Sequence, residues 1–224
     1  MGTGRDLEEN RLAKRPIGPA VPAKQRPCEH ALQVGFEALL ASLPSEEKLE
    51  ALGACRESDM IRVPALTRVL LADLAHRDVF VEGLGRARRA WAVLCVHYLC
   101  ADDVSVDPRE AAFGHFADCR VYAGVFQKRI VGRFIATSGR TSERFVELSE
   151  QLQAERLPGS GIRYRFCVLP RVPIVVVRHE GDYELGPGAS LIYRADAERL
   201  LSVEDRVVSA ELLLDTLAGK TIEE

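Results

Sequence analysis

Side chains able to do chemistry stand in three places in this chain. They are His97 with Tyr98, the crowded turn around His179, Glu180, Asp182 and Glu184, and a basic run holding Lys128, Arg129 and Arg133. His97 lies in the apolar stretch 90–99. Burial there would move its pKa, and the adjacent tyrosine could donate or stack. The pair is a candidate acid–base site; a hydrogen-bonded core histidine is the favoured alternative.

The turn sets an imidazole beside the carboxylates of Glu180, Asp182 and Glu184, enough for acid–base work or for a hard cation with oxygen ligands. Those carboxylates would share one face of a continuing strand, but Gly181 is expected to break it. A solvated hairpin turn is therefore preferred.

In the basic run, Arg120, Lys128, Arg129, Arg133, Arg140 and Arg144 face only Glu143 as a counter-charge, with Phe126 and Phe134 interleaved. Arg129 and Arg133 are one helical turn apart and could grip a phosphate or carboxylate as a fork. Tyr122, Lys128, Arg129 and Arg133 are thus the candidate ligand-binding set. A salt-bridged, solvated helix face is the simpler account.

Metal chemistry finds less support. The six cysteines are scattered, and Cys95 and Cys100 point to different sides of a helix, so that only His97 and Cys100 share a face; reduced, buried thiols are favoured over a metal site on these three. No metal or cofactor is expected. The glycine loops at 137–139 and 158–161 lack the spacing that cradles phosphates and read as connectors.

The elements that would position these groups are legible in part. Residues 1–27 carry Pro16, Pro19, Pro22 and Pro27 among mostly basic charges, without apolar periodicity, and are expected to be a disordered arm. Leu32, Phe36, Leu39 and Leu40 repeat at helical spacing; a second short helix follows Pro44-Ser45, and Gly53 closes the pair. Residues 60–81 suggest short strands with a turn near 75–78, although 66–74 would also suit a helix. A buried helix is expected over 86–100, and the acidic loop 102–110 is available to neutralise Arg86, Arg88 and Arg89 at its start.

Further helices are expected over 121–135 and 142–152, followed by a strand over 163–169. The β-branched run 174–177, opened by Pro170 and Pro173, predicts a strand buried on both faces. Residues 183–185 read as a short return and 190–193 as another strand. Ser202 caps a last helix with Val203, Val207, Ala210, Leu214 and Leu217 on one stripe, and Gly219 stops it.

The chain has 224 residues, 47% of them hydrophobic and 28% charged, with a net charge of −3, ordinary values for a folding domain with no general attraction to nucleic acid. The longest apolar stretch is about half of the ~20 residues a membrane helix needs, and residues 1–10 are polar, without the apolar core of a leader. A cytoplasmic location, without membrane or DNA partners, is expected.

His97-Tyr98-Leu99, the spacing of Tyr122, Phe126 and Arg129, Leu169-Pro170-Arg171-Val172-Pro173, Gly181-Asp182-Tyr183-Glu184, and Leu200 with Glu204-Asp205 follow one another in an order that resembles a prokaryotic family, the domain-of-unknown-function family 3786. The resemblance covers roughly residues 30–218. Where the family tends to show a Phe-Pro pair and a Leu-Phe-Asp trio, this chain has Leu185-Gly186 and Ile192-Tyr193-Arg194. Some relatives are fused to iron–sulfur-type cysteine motifs, which implies a redox or metal-cofactor setting.

An α+β fold is expected: one small, mainly antiparallel sheet packed with about five helices, forming a single globular domain over 28–220 behind the arm. The expected function is a non-catalytic accessory or ligand-binding module with an anionic small molecule or an acidic protein as partner. The alternative is a small enzyme pairing His97 with a carboxylate of the 180–184 turn.

Overall fold

A computed structural model describes residues 26–181 and 186–224. The α+β class is as expected, but the strands divide between two antiparallel sheets rather than joining in one. The first is a meander of β1 (Cys55–Glu57), β2 (Met60–Ala65), β3 (Arg68–Asp73) and β4 (Asp78–Val81). Residues 66–74, where a helix was the other possibility, form the turn before β3 and the strand itself, because each β3 residue pairs with β2 in unbroken register. Asp73 then accepts from the backbone N–H groups of Ala75 and His76 at 3.0 and 2.9 Å, an Asx-type turn that returns the chain into β4.

The second sheet contains β5 (Glu110–Ala112), β6 (Glu155–Leu157), β7 (Ile162–Leu169), β8 (Val172–His179) and β9 (Gly188–Arg194), in the order β5-β9-β8-β7-β6. The predicted β-branched strand is its centre. Ile174 and Val176 enter the main core. Val175 and Val177 are buried on the opposite face, where their cross-strand neighbours are Arg165 and Arg163, whose aliphatic stems can cover them. The expected return at 183–185 lies outside the described residues, as does the arm up to residue 25. The sheets are stitched together where the N–H of Leu66 donates to the carbonyl of Cys167 at 3.0 Å.

The helices are α1 (Arg26–Ala41), α2 (Glu46–Ala51), α3 (Arg89–Leu99), α4 (Ala123–Phe126), α5 (Gly132–Ala136), α6 (Ser142–Gln151), α7 (Ala197–Leu200) and α8 (Val203–Leu217). α3 is buried nearly all round, with Trp91, Leu94, Cys95, Val96, Tyr98 and Leu99 inside. α1 lies close against it because Gly35 has no side chain: a Cβ there would meet Val96 at 2.9 Å. The helix expected over 121–135 is present with a varying pitch: a 3-10 turn (Ala117–Tyr122), α4, a π turn (Gln127–Val131) and α5 follow one another without a break.

The arginines at the start of α3 are neutralised, but not by the 102–110 loop. Arg86 pairs with Asp78 at 2.7 Å, Arg88 with Asp215 at 3.1 Å, and Arg89 with Asp78 and Glu29 at 2.6 and 2.5 Å. Tertiary packing brings these distant carboxylates nearer than the loop adjacent in sequence. One continuous cluster of buried side chains runs from Leu32 to Ile222 and includes residues of both sheets.

Candidate functional site

α8 supplies one wall of the site. Ser202 stands in extended conformation at its start and its hydroxyl accepts from the N–H of Asp205 at 3.1 Å, satisfying one of the free donors of the first turn. With the helix begun there, Val203, Val207 and Val208 face outward beside Glu204 and Glu211, while Ala210, Leu213, Leu214 and Leu217 turn into the core.

The opposing wall is α4 and the π turn, presenting Tyr122, Val125, Phe126, Arg129 and Ile130. Behind Phe126 lies an aromatic cluster that anchors this wall without itself lining the groove. Phe126 stacks on Phe113 with centroids 4.0 Å apart, and Tyr193 meets both rings and Phe116 at 6.2–6.5 Å. Between the walls is an open groove of about 550 Å³. Its lining keeps apolar surface open to solvent: Tyr122 and Val125 remain 53% and 58% exposed, and Val121, adjacent to Tyr122 in sequence, is 89% exposed. A π turn adds a residue to the helix without ending it and is a frequent companion of binding sites; here it carries Arg129 to the rim.

The two halves of the groove are cross-tied by a ladder of charge. Arg129 pairs with Glu211 at 2.6 Å, and one turn further along both helices Arg133 pairs with Asp215 at 2.5 Å. Asp215 also receives Arg88 and Lys220. Burial would raise its carboxyl pKa, but Arg133, Lys220 and Arg88 prevail and hold it below the usual range. Of the four candidate binding residues, Tyr122 and Arg129 line the groove together. Arg133 is committed to Asp215, and Lys128 is exposed with no acidic partner among the described residues. Arg129 and Arg133 therefore grip one carboxylate each on α8 rather than a shared ligand.

His97 and Tyr98 are led to different partners. Nδ1 of His97 lies 2.9 Å from Oδ1 of Asp205, whose other oxygen accepts from the Ser202 hydroxyl at 2.7 Å. The hydrogen bond to Asp205 raises the His97 pKa against the opposing effect of burial. The serine meets the carboxylate and not the imidazole, so the three do not form a nucleophile–base pair. Tyr98 is a buried strut: its hydroxyl donates to the carbonyl of Leu52 at 2.5 Å and accepts from the N–H of Arg171 at 3.2 Å. Burial pushes that hydroxyl upward in pKa.

Glu180 accepts from the Ser142 hydroxyl and pairs with Arg178 at 2.7 Å, while Arg178 donates through Nε to the carbonyl of Gly139 at 2.8 Å. His97 and Glu180 are thus bonded to separate partners; Asp182 and Glu184 lie outside the described residues. Among the described residues no three His, Cys, Asp or Glu side chains gather as metal ligands. Burial pushes Cys95 up to about 12, so its thiol stays protonated and inert.

Sequence reasoning missed Val125, Val203, Val207, Val208, Glu204 and Glu211 as groove residues, and Arg206 beneath them. Arg206 is fully buried, paired with Asp118, and its guanidinium lies 4.7 Å from the Phe116 ring centroid. A signal existed. Arg206 falls three residues after Val203 and four before Ala210, on the apolar stripe, where a cation demands a buried acidic partner.

The sequence model of the family described as Domain of unknown function (DUF3786) matches residues 45–216, which takes in both sheets and both walls of the groove. No curated protein and no solved structure matches. No helix among the described residues is long and apolar enough to cross a membrane.

Proposed function

We propose, from the premise that the chain belongs to the DUF3786 family, that it is a non-catalytic binding module working through the groove between α4, the π turn and α8. The observation that carries this reading is the groove itself: apolar side chains on both walls, the rings of Tyr122 and Phe126 among them, with Tyr122 and Val125 still more than half exposed. Apolar surface gathered in a concave site is the usual make-up of a ligand pocket or a docking cleft.

The rim selects the ligand's charge. Glu204 and Glu211 stand against Arg129 alone, and Arg129 is already paired. An anionic ligand, the expectation raised by the basic run, would have to displace Glu211 and approach Glu204. A neutral or positively flanked apolar ligand meets no such opposition. An accessory role beside redox or metal-cofactor proteins, the setting that the family resemblance implies, would place the apolar segment of such a partner here. The enzyme alternative has less support, since His97 and Glu180 are each engaged elsewhere.

Titration with an uncharged apolar fluorophore, N-phenyl-1-naphthylamine, tests the reading. Saturable one-to-one binding is expected, weakened at least tenfold by Val125→Asp with the unfolding midpoint unchanged, because Val125 is exposed. Equal affinity in the two proteins would overturn it.

A further inference from the structure

The segment of this chain that precedes α1 has the composition to fill that groove. Pro16, Pro19 and Pro22 recur every third residue in Pro16-Ile17-Gly18-Pro19-Ala20-Val21-Pro22. A polyproline II helix has 3 residues per turn and rises ~3.1 Å per residue, so such a run places its prolines along one edge and Ile17 with Ala20 along the next. The form has little conformational freedom left to lose on binding, and its usual receptor is a groove lined with aromatic and apolar side chains. The run spans roughly 19 Å at that rise, enough to cover the α8 wall from Val203 to Glu211, roughly 12 Å at ~1.5 Å per helical residue.

Charge agrees with shape. The run is flanked by Lys14 and Arg15 on one side and Lys24 on the other; of the two carboxylates lining the groove, Glu211 is paired with Arg129 and Glu204 has no ion pair among the described residues. A relay of ion pairs links the start of α1 to α8 just beyond the groove wall. Glu29, in the first turn of α1, bonds Arg89; its neighbour Arg88 reaches Asp215, one turn along α8 from Glu211.

We infer that the segment from Lys14 to Lys24 is an occupant of the α4–α8 groove, so that the chain carries its own competitor for the site. This rests on the binding reading above and names the occupant: a proline-spaced apolar peptide with basic ends. An external partner entering the groove has to displace it. The apparent affinity of the groove for any other ligand is lowered by the fraction of molecules in which the segment is seated.

The test uses the full chain. A p-benzoylphenylalanine photocrosslinker is incorporated at Ile17, and irradiated protein is mapped by mass spectrometry. Crosslinks to residues 122–130 and 203–211 are expected, falling at least fivefold in the background of Val125→Asp or of Arg15→Glu with Lys24→Glu. Mixing isotopically heavy and light chains shows whether the groove filled is the molecule's own or a neighbouring copy's; either result supports the occupancy. In parallel, the uncharged naphthylamine probe is expected to bind at least threefold more tightly to the Arg15→Glu, Lys24→Glu chain than to the wild type. Crosslinks elsewhere, or a yield indifferent to Val125→Asp, together with unchanged probe affinity, would overturn the inference. Saturable probe binding in that case leaves the groove reading standing, so the two failures are distinguishable.

Discussion

His97 on α3 and Asp205 on α8 are joined side chain to side chain at 2.9 Å, 108 residues apart in the chain, and Ser202 completes the link by holding both the carboxylate and the first turn of α8. The hydrogen bond to Asp205 raises the His97 pKa above its ordinary 6.5, against burial. Burial would raise the Asp205 pKa above its ordinary 3.8, but the bonds from His97 and Ser202 hold it below.

The pH dependence follows in sign. A histidine with a raised folded pKa contributes stability in full below its unfolded value of about 6.5, and loses it as pH rises through the folded pKa. Asp205, with a lowered folded pKa, contributes above about 3.8 and loses that contribution on acidification. The melting-temperature difference between wild type and His97→Gln should therefore be greatest between about pH 4 and pH 6.5 and shrink as the pH rises beyond that range. A difference that grows with pH in differential scanning fluorimetry would contradict the pairing.

Asp196 is fully buried and accepts from Arg194 at 2.7 and 2.6 Å and from Arg171 at 3.0 Å, while Arg171 also donates to the carbonyls of Ala51 and Val104. Burial raises its carboxyl pKa, but the two guanidinium groups prevail and keep it ionised. Asp196→Ala leaves both cations without their acidic partner in a largely desolvated place, which should cost about 3–5 kcal/mol in urea denaturation. A loss under 1 kcal/mol would show that the clamp is solvated in solution.

The two rungs of the groove ladder should differ. Arg129 is 63% exposed at its side chain, so Arg129→Ala should change stability by less than about 0.5 kcal/mol. Asp215→Ala removes the partner of Arg88, Arg133 and Lys220 together and should cost about 2 kcal/mol or more. Equal effects in the same denaturation series would refute this ordering.

Gly53 and Gly219 both hold positive φ, at +69° and +85°, after a helix end. A Cβ at Gly219 would meet nothing within 4 Å, whereas at Gly53 it would come within 2.6 Å of the Pro170 ring. Gly219→Ala should therefore cost about 1 kcal/mol, the backbone contribution alone. Gly53→Ala should cost clearly more, since the β7–β8 turn must also shift. Chemical denaturation of the two variants measures the difference.

Much of the fold was readable where a few adjacent residues settle the matter. Ser202 and Gly219 bound α8, Gly53 closes α2, and the β-branched run over 174–177 is the middle of the second sheet. Caps, positive-φ glycines and side-chain branching act within one or two turns of chain, so their signals need no partner. Within the helical stretch expected over 121–135, the π turn was hidden for the opposite reason. Phe126 must stack on Phe113, and Arg129 and Arg133 must reach α8, a geometry met through a π turn that no local propensity announces.

The site was legible only in fragments. Tyr122 and Arg129 were singled out for charge and spacing, and both reached the groove, yet its other wall lies some 80 residues onward in chemically ordinary valines. His97, the most suggestive side chain, was given its meaning by Asp205 rather than by the acidic turn.

The amino-acid sequence by itself determined the α+β class, the start and stop of α8, the central strand of the second sheet and the family, because each rests on neighbours along the chain. The division into two sheets, the pairing of Arg206 with Asp118 and the groove between α4 and α8 were decided only by the tertiary structure. The physical reason is one of range. Helix caps and strand propensities are spent locally, whereas a buried cation, a strand partner and an apolar cleft exist only once distant segments exclude water between them.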